Sequence, residues 1–191
     1  MYRTLCLLAL AACAFAQQPS RPVIPEEFTA TITFQSHELN ETYDGEGRWA
    51  HDQAGNRAVQ EFEVRNTAHK DRPLHEVRLF RFDLKMEYEV EGPANSSKCA
   101  KRPLNGTLES AFGWVAKADY AGKHEIRHHE FDFWSYHDGG ITVEMGVDPE
   151  MPNQPAFLAR RGTHEDSFYD FHEFKAGTPE AEAFSIPKEC Q

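Results

Sequence analysis

The stretch Val77-Arg-Leu-Phe-Arg-Phe-Asp-Leu-Lys-Met-Glu-Tyr-Glu-Val90 decides the predicted fold. From Phe80 onward every second residue is large and apolar, and charged residues occupy the positions between them. This alternation predicts a β-strand with one apolar face and one charged face. At about 3.3 Å per residue the strand would run for roughly 36 Å, well beyond the usual five or six residues. We therefore expect a sheet that twists and curls strongly.

The apolar face of this strand is the predicted surface for a hydrophobic ligand. A curved antiparallel sheet with an apolar concave face is either covered by another part of the chain or holds a ligand, and the sequence leaves both alternatives open. Burial of apolar surface, at about 25 cal/mol per Å², would supply the affinity. The predicted ligand-binding residues are Phe80, Phe82, Leu84, Met86 and Tyr88.

Most other segments also predict strands, because they alternate or are rich in aromatic and β-branched residues. They comprise residues 28–34, 58–64, 124–137, 141–147, 156–161 and 164–174. Asp138-Gly139-Gly140 predicts a hairpin turn, and we interpret Gly45-Glu46-Gly47 as another turn. The fold class predicted is mainly β, with a strongly curved antiparallel sheet of about eight to ten strands and one or two short helices.

The helical candidate lies in residues 104–118, where Leu108, Phe112 and Val115 recur at helical spacing. Gly113 weakens this pattern. We expect the segment to pack against the sheet.

Residues 1–16 have the features of a secretory leader, and residues 17–191 form a single predicted β-rich domain. Arg3 supplies the positive start, residues 5–12 the apolar run, and Ala14-Phe15-Ala16 the cleavage site. The apolar run is too short for a membrane span, and no later segment approaches that length. We therefore expect a secreted, extracellular protein.

Charge disfavours two classes of partner. Loss of the leader removes one of the 20 basic residues and none of the 31 acidic ones, so the net charge falls from −11 to −12. Such a surface repels nucleic acid and anionic membranes. It leaves loose calcium association open, and we predict no other cofactor.

Two cysteines remain after the leader, Cys99 and Cys190, and in an oxidising compartment they predict one disulfide. Three sequons predict N-glycosylation at Asn40, Asn95 and Asn105, all in turn-rich stretches. Together with the leader they indicate a secreted glycoprotein.

The second half of the chain resembles the secreted ependymin-related group. The likeness is carried by an ordered set of motifs: Phe112-Gly113-Trp114-Val115, Asp119-Tyr120, Phe133-Trp134, Asn153-Gln154-Pro155, Phe171-x-x-Phe174, Gly177-x-Pro179 and Phe184-x-Ile186-Pro187 before Cys190. It covers residues 25–190 and is best from Phe112 onward.

This resemblance implies the bacterial lipoprotein-carrier fold, a half-barrel with helices against its concave side. It also implies an open apolar pocket for a hydrophobic ligand, with calcium association in some members. The chain departs from the group in lacking its additional cysteines, so no further disulfide carries over.

No catalytic signature occurs in the structural context that its chemistry needs, and we predict a protein that is not an enzyme. The sequence lacks Gly-x-Ser-x-Gly, Walker and Cys-x-x-Cys patterns. His124-Glu125-Ile126-Arg127-His128 has the spacing His-Glu-x-x-His, but it lies in a segment predicted to be a strand, whereas that zinc motif requires a helix. The weak candidates for a zinc or copper site are His124, His128 and Glu130, which would share one face of a continuous strand. A solvated strand face explains the same pattern.

The leading hypothesis is a secreted glycoprotein that binds a lipid or another hydrophobic small molecule in the concavity of a curved sheet. The alternative is an extracellular matrix or adhesion glycoprotein that binds calcium or a transition metal. A homodimer is compatible with either.

Overall fold

The structure is a computed structural model, and it describes residues 18–69 and 73–191. The predicted leader, residues 1–16, lies outside the described residues. One antiparallel sheet dominates the fold. Its strands are β1 (Glu27–Glu38), β2 (Glu41–Asp52), β3 (Arg57–Asn66), β4 (Leu74–Arg81), β5 (Met86–Gly92), β6 (Lys98–Pro103), β7 (Asp119–Ile126), β8 (His129–Asp138), β9 (Ile141–Val147), β10 (Pro155–Arg161) and β11 (Glu165–Ala176).

The sheet consists of two meanders joined at its centre. The strand order is β6-β5-β4-β3-β2-β1-β11-β10-β9-β8-β7. Within the described residues the sheet stays open, with β6 and β7 as its two edges. This confirms the predicted fold class. The short helices are 3-10 turns at Gly113–Lys117, Ala181–Phe184 and Lys188–Cys190.

The sheet curls toward one face. In a flat sheet β4 and β11 would lie about 19 Å apart, because neighbouring strands are about 4.8 Å apart. Side chains of both strands nevertheless line one cavity: Glu76 and Arg78 from β4 with Glu165 and Tyr169 from β11. We call the face that carries these side chains the concave face and the opposite one the outer face.

Topology explains what covers the concave face. Strands β6 and β7 follow each other in sequence but lie at opposite edges of the sheet, so residues 104–118 must cross its full width. This segment, which we call the crossover, passes over the concave face, where Phe112, Val115 and Ala118 join the buried core around Phe28 and Trp134. The crossover therefore packs against the sheet as predicted, although only Gly113–Lys117 forms a helical turn.

The outer face is covered over β2–β5 by the C-terminal tail, residues 177–191. Phe184 is fully buried there against Val59, Leu79 and Val90. Arg81 Nη1 donates to Phe184 O at 2.9 Å, and the Arg57 guanidinium lies 4.4 Å from the centre of the Phe184 ring. The predicted Cys99–Cys190 disulfide is confirmed and ties the tail to β6.

Two predicted long strands are wrong, because each is a hairpin. The stretch from Val77 to Val90 turns at Phe82–Lys85 between β4 and β5. The stretch from His124 to His137 turns at Arg127-His128 between β7 and β8. The curvature that we predicted from one long strand therefore has another origin, which lies in β2.

Candidate functional site

Two glycines on β2 make the tight curl possible. We had interpreted Gly45-Glu46-Gly47 as a turn, and this is wrong, because the three residues lie within β2. Gly45 and Gly47 face the concave side, where a Cβ atom on Gly47 would lie 2.0 Å from Glu61 O and 2.6 Å from the Phe62 ring. Since neither glycine has a side chain, the neighbouring strands can close over β2.

Aromatic side chains of β1 and β3 meet in the space that the glycines leave. The rings of Phe34 and Phe62 lie 5.1 Å apart edge to face, although β2 separates their strands. The ring of Tyr169 on β11 lies 5.9 Å from that of Phe34 on the other side. All three residues are half-buried, so this aromatic floor is open on one side.

A cavity of about 240 Å³ lies above this floor. We call it the concave cavity. Its lining is completed by polar and charged side chains: Ser36, Glu38, Gln60, Glu76, Arg78 and Glu165. A larger depression of about 330 Å³ lies nearby, between the β1–β2 and β10–β11 turns. It is formed mainly by polar turn residues, so it offers an apolar molecule less apolar contact surface than the concave cavity does.

Carboxylates dominate the charge around the concave cavity. Glu165 pairs with Arg160 at 3.2 Å, and Arg78 lies 3.8 Å from Glu87 and 3.7 Å from Glu89. Burial raises the pKa of Glu76, and the negative charges of Glu91 and Glu38 raise it further. Burial also raises the pKa of the Tyr169 phenol, which therefore remains neutral and hydrogen-bonding at physiological pH.

The other end of the concave face is closed by the chain itself. The crossover and residues 18–26 together form what we call the plug. The Phe112 ring lies 5.7 Å from that of Phe28 and 5.6 Å from that of Trp49, and Phe28 is fully buried. Ile24 joins the same core.

Polar contacts hold the plug in place. The ring nitrogens of His51 lie 2.6 Å from Glu26 O and 3.1 Å from Glu109 O. Arg21 donates to Ala116 O at 2.8 Å and to Ala118 O at 2.7 Å. Among residues 18–69 and 73–191, one end of the concavity is therefore core, and the open cavity lies at the other end, at Phe34 and Phe62.

The predicted ligand-binding residues do not share one surface, because the β4–β5 turn interrupts them. Met86 and Tyr88 face the outer side, where Tyr88 is buried in the core beneath the tail. Phe80 is half-buried and faces the concave side, paired across the strands with Glu87. Phe82 and Leu84 lie in the turn, and Leu84 is 49% exposed.

The sequence predicted strands at the aromatic residues beneath the cavity, but it did not indicate that these residues line a cavity. Phe34 and Phe62 belong to segments that we predicted to be strands. The missed signal is the alternation Gly45, Gly47, Trp49 on β2, which indicates a strand face with space for neighbouring side chains.

The weak metal candidates are not brought together. His124 lies on β7, where its ring stacks edge to face on Phe133 at 4.9 Å. His128 lies in the β7–β8 turn, and Glu130 pairs with Lys123 at 3.5 Å. Among residues 18–69 and 73–191 no three His, Cys, Asp or Glu side chains form a group that could hold a metal ion.

The three sequon asparagines are all exposed and accessible for glycosylation. Asn40 lies in the β1–β2 turn, Asn95 in the β5–β6 turn and Asn105 at the start of the crossover. In the part of the chain that the structure describes, no helix is long and apolar enough to cross a membrane.

Comparison with known proteins gives fold-level likenesses only. No family model matches the chain, and no curated protein matches its sequence. The chain is similar to the solved structure of LprF from Mycobacterium bovis, with 12% identity, a TM-score of 0.43 and coverage of 86% of this chain and 90% of that one. It is also similar to a DUF1329 family protein from Desulfovibrio piger, with 9% identity, a TM-score of 0.39 and coverage of 87% and 92%. At these scores the likenesses carry no argument about function, and membership of the ependymin-related group stays a prediction.

Proposed function

We propose that the protein is a secreted, non-enzymatic glycoprotein that binds a small hydrophobic or amphipathic molecule in the concave cavity. The observation that carries the proposal is the half-buried aromatic floor of Phe34, Phe62 and Tyr169 under an open cavity. Apolar surface left partly open in a concave site is the usual character of a small-molecule site.

The size of the cavity limits the ligand. Its volume of about 240 Å³ lies below the range of roughly 300–1,000 Å³ that is usual for small-molecule pockets. The plug prevents a long molecule from extending along the concave face toward Phe28. The cavity therefore suits a ring or a short chain segment of a lipid rather than a fully enclosed acyl chain.

The secreted state is supported by the disulfide, which is typical of proteins from oxidising compartments. The exposed sequons at Asn40, Asn95 and Asn105 support glycosylation. The leader in the sequence supports the same assignment.

The test is a fluorescence titration with the neutral hydrophobic probe N-phenyl-1-naphthylamine. We expect Phe34→Ser and Phe62→Ser each to weaken probe binding by about tenfold, since each removes apolar contact area worth more than about 1.4 kcal/mol. Phe168→Ser is the matched control, because Phe168 is an exposed aromatic residue on the outer face.

The proposal predicts that Phe168→Ser binds the probe as the native protein does. Equal losses in all three variants would show that the probe binds nonspecifically, and no loss in Phe34→Ser or Phe62→Ser would reject the cavity. Circular dichroism and secretion yield establish that each variant is folded.

A further inference from the structure

The concave cavity adjoins a second depression of about 290 Å³ along β4 and β5. Glu76 and Arg78 line both spaces, so the two are adjacent, and we call them together the trough. Its aromatic floor lies at one end, and the charged side chains of β4 and β5 lie at the other.

Two pairs of glutamates at directly opposed positions of neighbouring strands line this trough. Glu38 lies directly opposite Glu165 on the neighbouring strand, and Glu76 lies directly opposite Glu91. Like charges at directly opposed positions of a sheet destabilise it. Within residues 18–69 and 73–191, Glu38, Glu76 and Glu91 form no ion pair.

Two comparable glutamate pairs elsewhere in the sheet are each relieved by a basic side chain. Glu63, opposite Glu46, contacts Arg65. Glu130, opposite Glu125, lies 3.5 Å from Lys123. In the trough, Arg160 relieves Glu165 in the same way, at 3.2 Å. The Glu76–Glu91 pair differs, because the neighbouring Arg78 lies close to Glu87 and Glu89 instead. Among the described residues, the trough therefore combines an apolar floor with three carboxylates that form no ion pair: Glu38, Glu76 and Glu91.

We infer that the trough binds an organic cation, an amphipathic amine whose apolar part rests on Phe34, Phe62 and Tyr169 and whose ammonium group lies between Glu38 and Glu76. This inference rests on the proposed function and names its ligand class. Aromatic faces attract cations as well as apolar groups, so the floor and the carboxylates select the same molecule. The pKa of Glu76 agrees with this geometry, because it is raised first by burial and then by the negative charges of Glu91 and Glu38.

The experiment compares three probes with the same eight-carbon chain: octyltrimethylammonium, octanoate and octanol. Binding to the native protein is measured by calorimetry at low ionic strength, where screening is weak. We expect octyltrimethylammonium to bind about tenfold more tightly than octanoate, with octanol between them.

Isosteric variants locate the effect. Glu76→Gln and Glu38→Gln should each weaken octyltrimethylammonium binding by about three- to fivefold and leave octanol binding unchanged. Glu46→Gln is the matched control, because it changes the net charge equally but lies exposed on the outer face.

The outcomes separate the two claims. Octanol binding that depends on Phe34 and Phe62, together with equal affinity for the cation and the anion, would overturn the inference and retain the proposed function. Equal effects of Glu46→Gln and Glu76→Gln would also overturn it, since they would show that the net negative charge of the protein attracts the cation, and not the carboxylates of the trough. Failure of all three probes to bind would overturn both claims.

Discussion

The two ends of the concave face are built alike but differ in what covers them. At one end Phe28 of β1 packs with Trp49 of β2, and at the other Phe34 of β1 packs with Phe62 of β3. Phe28 is fully buried because Phe112 of the crossover lies on it. Phe34 is only half-buried, and a cavity lies above it.

The difference teaches that the strand sequence alone does not decide whether an aromatic residue belongs to the core or to a binding site. Apolar and polar residues alternate in the same way at both ends of β1. The element that decides which end is buried is the crossover, more than fifty residues away in the sequence. Because β6 and β7 lie at opposite edges, that connection has to cross the sheet, and it covers whichever end it crosses.

The strongest way to break this comparison is to truncate the two β1 phenylalanines separately. Phe28→Ala should lower the free energy of unfolding by about 4 kcal/mol, because it leaves a cavity in a closed core. Phe34→Ala should cost only about 1 kcal/mol, since the ring is already half-exposed. Urea denaturation measures both, and equal losses would show that the two ends do not differ in this way.

A smaller effect is expected at the glycine that allows the curl. Gly47→Ala should destabilise the protein by about 2 kcal/mol, because its Cβ would overlap Glu61 O and the Phe62 ring. The same substitution at Gly162 meets only one atom, Glu165 O, at an ordinary distance of 3.4 Å, and serves as the control. Thermal unfolding measures the stability of both variants, and equal stability would contradict the role of Gly47. Probe titration should show that Gly47→Ala also weakens ligand binding.

The smallest expected effect concerns the charge of Glu76 at the open end of the concave face. Glu76 has a raised pKa in the folded state, so it stabilises the fold below its unfolded pKa, and this stabilisation is lost as the pH rises through the folded pKa. Glu76→Gln should therefore raise stability at neutral pH by about 0.5 kcal/mol, a small value because the side chain is partly exposed.

The pH dependence provides the check on this last prediction. Between pH 4 and pH 7 the denaturation midpoint of Glu76→Gln should rise relative to that of the native protein. Parallel profiles would show that the Glu76 carboxylate does not carry this cost.

The fold class was predictable because alternation survives in almost every strand. The sequence predicts β9 at the bounds that the structure shows, and the turn at Gly139-Gly140 follows from its glycines. The disulfide followed from counting cysteines, since two remain after the leader.

The hidden turns were not predictable by the same rules. Arg127 and His128 both adopt positive φ values, 53° and 67°, in a two-residue turn that usually selects asparagine or glycine. The β4–β5 turn also contains no glycine or proline, and Lys85 takes a positive φ of 55°. Polar and apolar residues continue to alternate through the β4–β5 turn, and the β7–β8 turn lies in a run of polar residues without a turn-forming residue, so each hairpin resembles one long strand in the sequence.

The candidate site depends on relations that alternation cannot reveal. Phe34, Phe62 and Tyr169 come from three separate strands, and their meeting depends on the sheet order and on the missing side chains of β2. The sequence predicts that a concave apolar surface exists. Its position depends on where the crossover and the tail lie, which long-range contacts decide.

The central pairing of β1 with β11 has a consequence for how the chain folds. Phe28 pairs with Ala176, whereas every other strand pairs with a neighbour in the sequence. Each meander can form from local hairpins, but closing the β1–β11 ladder, even at its nearest pair Glu38 and Glu165, requires a chain loop of about 130 residues, at a high entropic cost. We therefore expect the two meanders to assemble first and their joining to limit the folding rate, with the crossover trapped between them as the sheet closes.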